Sequence, residues 1–468
     1  NASATSFSPV TDASMAGGII TFGNRGTASV GGALSFDASA VYGDGAGGEA
    51  TGGSVLIETL AGTLESNGLS LSASADGGFI AGGAVPTAFG GSIVLRNEAG
   101  AAHFSRSGNI AMTVNANGIS NSNGPGGDGA GGTISLGVDG TLELDMGGSG
   151  TFVAEVIGTG GSSSNGDIGG NGTGGGIDFI VGSGGTLNII NPGTPLIELK
   201  ANGIGGNSLT QGGNGGGGAI FLVATEGNAT LPSLTINVRG EGGLGLPSGN
   251  AIAGRADVVV RESLVSIGGD LVLDGNAVVA GSSVEGDGTG GVLGVDVAGS
   301  GTLDVAGNLQ MLANGDGTVN FAGTIAVNAS FGLLDVGGGI TLSAASLNDT
   351  FGSNAVIQAG NINVDVGTLG EIRSTQGLSA DVQGTATTPL YGVTAEAGRF
   401  DMRSAGVVRL GGAGLIVQAN GGWVLGTEGG SAFGGSAIVQ LIGGSFDTTD
   451  LVLRASGISG ANSGGTGG

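Results

Sequence analysis

Short runs in which apolar and polar residues alternate recur along most of the chain, and each emerges from a pair of glycines. The junctions include GGSVLIE at Gly52, GGSIVLR at Gly90, GGTISLG at Gly131, GGGIDFIV at Gly174 and GGSAIVQL at Gly434. Alternation with period two marks strands that bury one face. A second strand opens 15 residues after the first at Leu34, Leu69, Leu234, Leu271, Leu415 and Leu451. It opens slightly later at Ile110, Val153, Ile197 and Leu309. Between the two lies a shorter strand: GTLES at Gly62, GTLELDM at Gly140, GTLNII at Gly185 and GTLDVAG at Gly301. Helical spacing and capping boxes are essentially missing. The pattern predicts an all-β chain.

The first strand residues after the glycine pairs are Ile19, Ser54, Ser92, Thr133, Ile177, Ala219, Ala256, Val292, Phe400 and Ser436. They recur about every 37 residues, apart from one gap of 108 between Val292 and Phe400, which is three units long. About twelve units follow, the period of a solenoid or a propeller. The aromatic signatures of propeller blades are missing, with one Trp and two Tyr in the chain. Small side chains and unit-to-unit length variation at one place favour a parallel β-helix with one coil per unit. Two coils of about 19 residues per unit is the rival, and would double the length at about 4.8 Å per rung. The expected organisation is a lead-in or cap at 1–18, regular repeats over 19–315, less regular ones over 316–398, and C-terminal repeats over 399–468.

The second strand repeatedly ends in Ala-Asn-Gly, at Asn117, Asn202, Asn314 and Asn420, with Asp76-Gly77 and Ser456-Gly457 read as equivalents. Asn and Gly tolerate positive φ, so a fixed corner is expected there. Stacking would let these asparagines form a hydrogen-bonded ladder, which makes them structural residues. After the corner comes a Gly-rich arc of variable length, such as 120–132 and 162–176, where repeat proteins place insertions.

Composition sharpens this picture. Glycine supplies 110 of 468 residues and aromatics only 4%. No G-X-Y period is present, which excludes collagen. Mean hydropathy of +0.33 argues against disorder. The net charge of −25 repels phosphate backbones and anionic lipid, so neither nucleic acid nor direct membrane insertion is an expected partner. With no cysteine, a disulfide framework is impossible. The chain opens on Asn1 without a leader pattern and closes on a Gly-rich run, and is read as a processed product or a piece of something longer.

Catalysis needs converging groups, and here the acids are scattered, as at Asp44, Asp128, Asp167, Asp287 and Asp316. Arg399, Arg403 and Arg409 form one local basic cluster, read as partners for scattered acids. His103 is the sole histidine, too isolated for a zinc or triad site. The strings 126–132 and 169–175 approach calcium nonapeptides, but Gly131 and Gly174 stand where Asp is required. A calcium roll is therefore not supported, while isolated calcium sites stay open. No enzyme, cofactor or catalytic residue is expected.

The GG-[ST] junctions at Gly52, Gly90, Gly131 and Gly434, with the later GxLxLxA-like strands, resemble bacterial type V secreted exoproteins: filamentous-haemagglutinin-like adhesins and autotransporter passengers. The resemblance spans about Gly17–Gly468. It implies a right-handed parallel β-helix, exported unfolded and displayed at a cell surface. Asn191-Pro192-Gly193 is similar to a secretion motif of that family, although it stands alone mid-chain, and the sequence carries no β-barrel translocator pattern. The expectation is a non-enzymatic extracellular rod, the stalk of an adhesin or the subunit of a surface filament, self-associating head-to-tail through its end coils. A host-surface or glycan ligand is the remaining partner class. The alternative is a glycan-binding or glycan-cleaving β-helix with a groove beside the arcs at 118–132 or 160–176.

Overall fold

The computed structural model describes residues 4–6, 14–42, 48–60, 63–80, 87–98, 101–105, 109–146, 150–190, 196–281, 286–348, 356–386, 394–423, 431–458 and 466–467. Among them every strand pairing is parallel, and no helix occurs. Three long sheets of twelve strands each run the length of the molecule. The first contains Ile19–Asn24 through Ser436–Leu441, the second Thr27–Val30 through Ser445–Thr448, and the third Leu34–Asp37 through Leu451–Arg454. The protein is a parallel β-solenoid with one coil per sequence unit. Twelve rungs at about 4.8 Å give a stack about 58 Å long.

Register settles the unit. Ile19 pairs with Ser54, Ser54 with Ser92 and Ser92 with Thr133. The two-coil rival would need partners at half these separations, so it is excluded. Three expected unit starts move by one residue, to Gly176, Arg255 and Arg399, and the third-sheet strand begins on Phe152 rather than Val153. The unregistered gap contains two ordinary coils that open at Thr324 and Asn361. Their junctions are Ala322-Gly323 and Ala359-Gly360, so a search for glycine pairs passed over them. The stretch 316–398, expected to be less regular, thus carries the same three long strands per coil. In the lead-in, Ala4–Ser6 and Met15–Ala16 are the first strands of two sheets of short strands considered below.

Alternation places one side chain in two inside. In the first sheet Val55, Ile93, Ile134, Ile177, Ile220 and Ala256 stack as one buried column, and Ile57, Leu95, Leu136, Phe179, Leu222 and Val258 as another. The columns merge into one continuous core along the axis. Each buried aliphatic contributes about 1.5–3 kcal/mol relative to an exposed one, which makes stacking the main source of stability. Where Phe152 and Phe179 meet, their rings pack edge-on at 5.6 Å.

The arc is ordered as two layers of short strands, an outgoing layer of an eight-stranded and a five-stranded sheet and a thirteen-stranded return sheet. In the fourth coil Gly158–Thr159 is the outgoing strand and Gly172–Thr173 the return strand. They stack on equivalents above and below and face each other as a thin flange. A Cβ on Gly158 would overlap the Thr173 carbonyl oxygen, and one on Gly172 would overlap that of Ile204. Only glycine lets the two layers approach this closely. Elsewhere alanine fills the flange, as in the cluster Ala50, Ala75, Ala88 and Ala116.

The second glycine of each junction closes the coil. Its N–H donates across the layers to the carbonyl that ends the third-sheet strand. These bonds join Gly53 to Ala38, Gly91 to Ala73, Gly218 to Ala201 and Gly254 to Val238, and continue through Gly435 to Ala419 at 2.6–3.1 Å. A side chain on Gly218 would collide with the Gly175 carbonyl oxygen of the coil before it. The first glycine is less constrained, because Ala253, Ala322, Ala359 and Ala397 occupy its place in other coils.

Candidate functional site

The corner asparagines build a column, though not all at the expected positions. The Asn202 carboxamide oxygen accepts the Arg239 N–H of the next coil at 2.9 Å. Asn276 accepts the Asn314 N–H at 2.9 Å, and Asn314 in turn accepts the Ala345 N–H at 2.9 Å. Asn420 accepts the Ser456 hydroxyl at 2.9 Å. Ser39 and Ser74 serve the same column with their hydroxyls, and Asn115 accepts the Ile157 N–H at 2.8 Å.

Asn117 lies two residues beyond that column. Its strand pairs it with Asp76 and Thr159 on the exposed face of the flange. The sequence TVNANG offers two asparagines before glycines or small residues, and the motif selects the wrong one. Asp76 is displaced in the same way, with Ser74 as the true equivalent. Positive φ is not the cause of the corner either: Gly118, Gly203, Gly315 and Gly421 are absent from the residues with that conformation. A Cβ on Gly203 would strike the Gly216 carbonyl oxygen, so crowding against the return limb is what demands glycine.

A second ladder was not anticipated. On the return limb, Asp128 accepts the Asn171 N–H at 2.7 Å, Asn171 that of Asn214 at 2.9 Å, Asn214 that of Asn250 at 2.8 Å, and Asn250 that of Asp287 at 2.8 Å. Two of the acids read as scattered therefore end one ladder. The Asp167 carbonyl oxygen accepts the Ser208 hydroxyl, Asp316 lies in the strand Gly315–Asp316, and Asp44 lies outside the described residues. The signal for this ladder was an Asn or Asp immediately before the two-residue strand of each of these return limbs.

Charged side chains are arranged similarly. Among the described residues nine Lys and Arg side chains are ion-paired, some along one strand and some between coils. Lys200 bridges Glu198 at 2.9 Å on its own strand and Glu155 at 3.2 Å on the preceding coil. Arg239 donates through Nε to Asp274 at 2.8 Å. Glu371 receives Arg373 at 2.7 Å and Arg409 at 3.4 Å, and the Arg373 hydrogen bond holds its carboxyl below the usual range. Burial pushes the Asp381 carboxyl up, although it accepts the Gln383 N–H at 3.0 Å.

Arg399 and Arg403 converge on Asp401, at 2.6 Å and 3.4 Å, while Arg409 is engaged elsewhere. Asp401 stands on the outer face of the first sheet in coil eleven, beneath the two guanidinium groups. Around it lie two adjoining depressions of about 510 and 480 Å³, both lined by Thr324, Asn361 and Arg399. They form a trough along the junction of the flange and the first sheet in coils nine to twelve, away from the arcs 118–132 and 160–176 where a groove was expected.

His103 sits in the second-sheet strand Ala101–Ser105, with its backbone in register with Glu65 and Glu143. Asn191-Pro192-Gly193 lies outside the described residues. Among the described residues no three His, Cys, Asp or Glu side chains gather as a metal site. No family model, no curated protein and no solved structure matches this chain.

Proposed function

We propose that this protein is a non-enzymatic extracellular structural protein, a rigid β-solenoid rod serving as the stalk of an adhesin or the subunit of a cell-surface filament. One observation carries the reading: the strands stack in unbroken register over twelve coils, and polar and charged side chains in many of those coils bond to the coil beside them. Such a stack resists bending, because bending must open ladder bonds and core contacts on one side together. A coil of this kind is not stable alone and gains stability from each neighbour. The acidic surface would keep parallel rods apart. Head-to-tail association through the strand edges of end coils belongs to the same proposal. Display at a cell surface rests on the resemblance to type V exoproteins alone.

Electron microscopy of the isolated protein tests this. Stiff unbranched particles are expected, about 58 Å long or in longer fibres, with axial order near 4.8 Å. Flexible particles, or particles lacking that axial spacing, would sink the rod reading.

A further inference from the structure

The trough in coils nine to twelve contains an unmet hydrogen-bonding demand. Asp401 is only 7% exposed. One carboxylate oxygen, Oδ2, takes both arginines, whereas Oδ1 is buried and has no hydrogen-bond partner. A buried acceptor left unpaired costs about 1–3 kcal/mol, and more when charged. A structural ion pair does not need that arrangement, since the ladder asparagines show how readily this fold supplies N–H donors.

The surroundings say what would satisfy it. In register with Arg399, Asp401 and Arg403 on the neighbouring coil are Asn361, Asn363 and Asp365, all exposed. Arg399 and Arg403 are each about half exposed, so both keep free N–H donors. The floor thus offers acceptors and donors on adjacent rungs about 4.8 Å apart. The formal charges of Arg399, Arg403, Asp365 and Asp401 cancel. At the flange side the wall is Phe321, 39% exposed, beside the backbone of Gly323, Gly360 and Gly398. An exposed aromatic face above a polar floor suits a molecule with apolar C–H faces and hydroxylated edges. The volume falls within the range of small-molecule sites.

We infer that this trough binds a neutral oligosaccharide, whose hydroxyl donates to Asp401 Oδ1 while its neighbours accept from Arg399, Arg403 and Asn363. A simple carboxylate offers acceptors alone and would leave Oδ1 unpaired; an oligouronate keeps hydroxyls that can donate, but sets further negative charge beside Asp365 and Asp401. Hydroxyls both donate and accept, which is what the floor requires. Binding here involves no bond breaking and leaves the rod intact.

Calorimetric titration of the full chain with cellohexaose, chitohexaose, maltohexaose and an oligogalacturonate tests the site. At least one neutral oligosaccharide should bind. The double variant Asn363→Ala, Arg403→Ala should weaken that binding by about tenfold or more at an unchanged melting temperature. Arg261→Ala, on the same sheet in coil seven, should leave it unchanged. Failure of every neutral oligosaccharide to bind overturns the inference. So does binding that the double variant does not alter, or binding of the oligogalacturonate alone. None of these outcomes bears on the rod, which the microscopy tests separately.

Discussion

At the scale of single residues, position in the column decides what an asparagine is worth. Asn202 is half-buried and its carboxamide oxygen accepts the Arg239 N–H of the next coil. Asn117 has the same local sequence but projects from the exposed flange face. Asn202→Ala and Asn115→Ala should therefore each cost about 1–2 kcal/mol, the penalty of a lost bond with a stranded partner. Asn117→Ala should stay within about 0.5 kcal/mol of the parent, as exposed substitutions usually do. Urea denaturation of the three variants checks this. Equal effects at 115 and 117 would mean that the column assignment is wrong. The comparison also marks the limit of reading the chain by motif. Ala-Asn-Gly is visible in the sequence, but the residue that stacks is fixed by its distance from the buried Val114 or Ala201, which end the third-sheet strands. Counting from the apolar alternation finds Asn115, whereas counting from the glycine finds Asn117.

At the scale of elements, the flange is the part that looked least structured in sequence. Runs such as 160–176 read as a Gly-rich loop because they have no apolar alternation, and period is the signal that reveals strands. Their order comes instead from backbone bonds between the two limbs, which leave no trace in side-chain pattern. Gly161 N–H donates to Gly127 O, Gly170 to Gly161, Gly206 to Gly170, Gly213 to Gly206, Gly243 to Gly213 and Gly249 to Gly243, at 2.7–2.9 Å. The line crosses from limb to limb as it climbs through the coils. Glycine loses the most freedom on ordering, so such a flange persists only if these bonds hold it. Hydrogen exchange should accordingly show the amides of Gly170, Gly206 and Gly213 protected to a degree comparable with the core strand Ala219–Thr225. Exchange at the rate of an open loop would disprove an ordered flange. By contrast, the three long sheets were legible from the start, because most of their inward residues are Val, Ile and Leu in strict alternation. Only the coils opening at Thr324 and Asn361 escaped; alanine replaces the first glycine there, as it does before Arg255 and Arg399, so the glycine pair does not mark every coil.

At the scale of the whole molecule, the solenoid is a sum of nearly interchangeable layers, and that makes a severe test available. Arg255 and Val292 occupy the same rung position in consecutive coils, so residues 255–291 are one complete turn. Deleting them joins Gly254 to Val292 and sets Val292 above Ala219, where Arg255 now pairs. Inside, Leu293, Val295 and Val297 would then meet Ile220, Leu222 and Ala224, apolar against apolar with little change in volume. The clasp also survives, because Gly254 keeps its bond to Val238 and Gly291 leaves together with its acceptor Gly275. What is lost is one layer of core, the Arg239–Asp274 pair and one rung of the Asn276–Asn314 ladder. In a nearest-neighbour stack, removing one repeat subtracts one intrinsic term and one interface without disrupting the rest. The shortened chain should fold cooperatively, with a β-rich circular dichroism spectrum and a melting temperature close to the parent's. Deleting residues 255–273 instead stops half-way round the coil and shifts every later strand onto the wrong sheet. That chain should not fold, because apolar columns would face solvent along the remaining length. If the full-turn deletion unfolds the protein as completely as the half-turn one, the coils are not equivalent layers, and stiffness along the rod cannot come from their stacking.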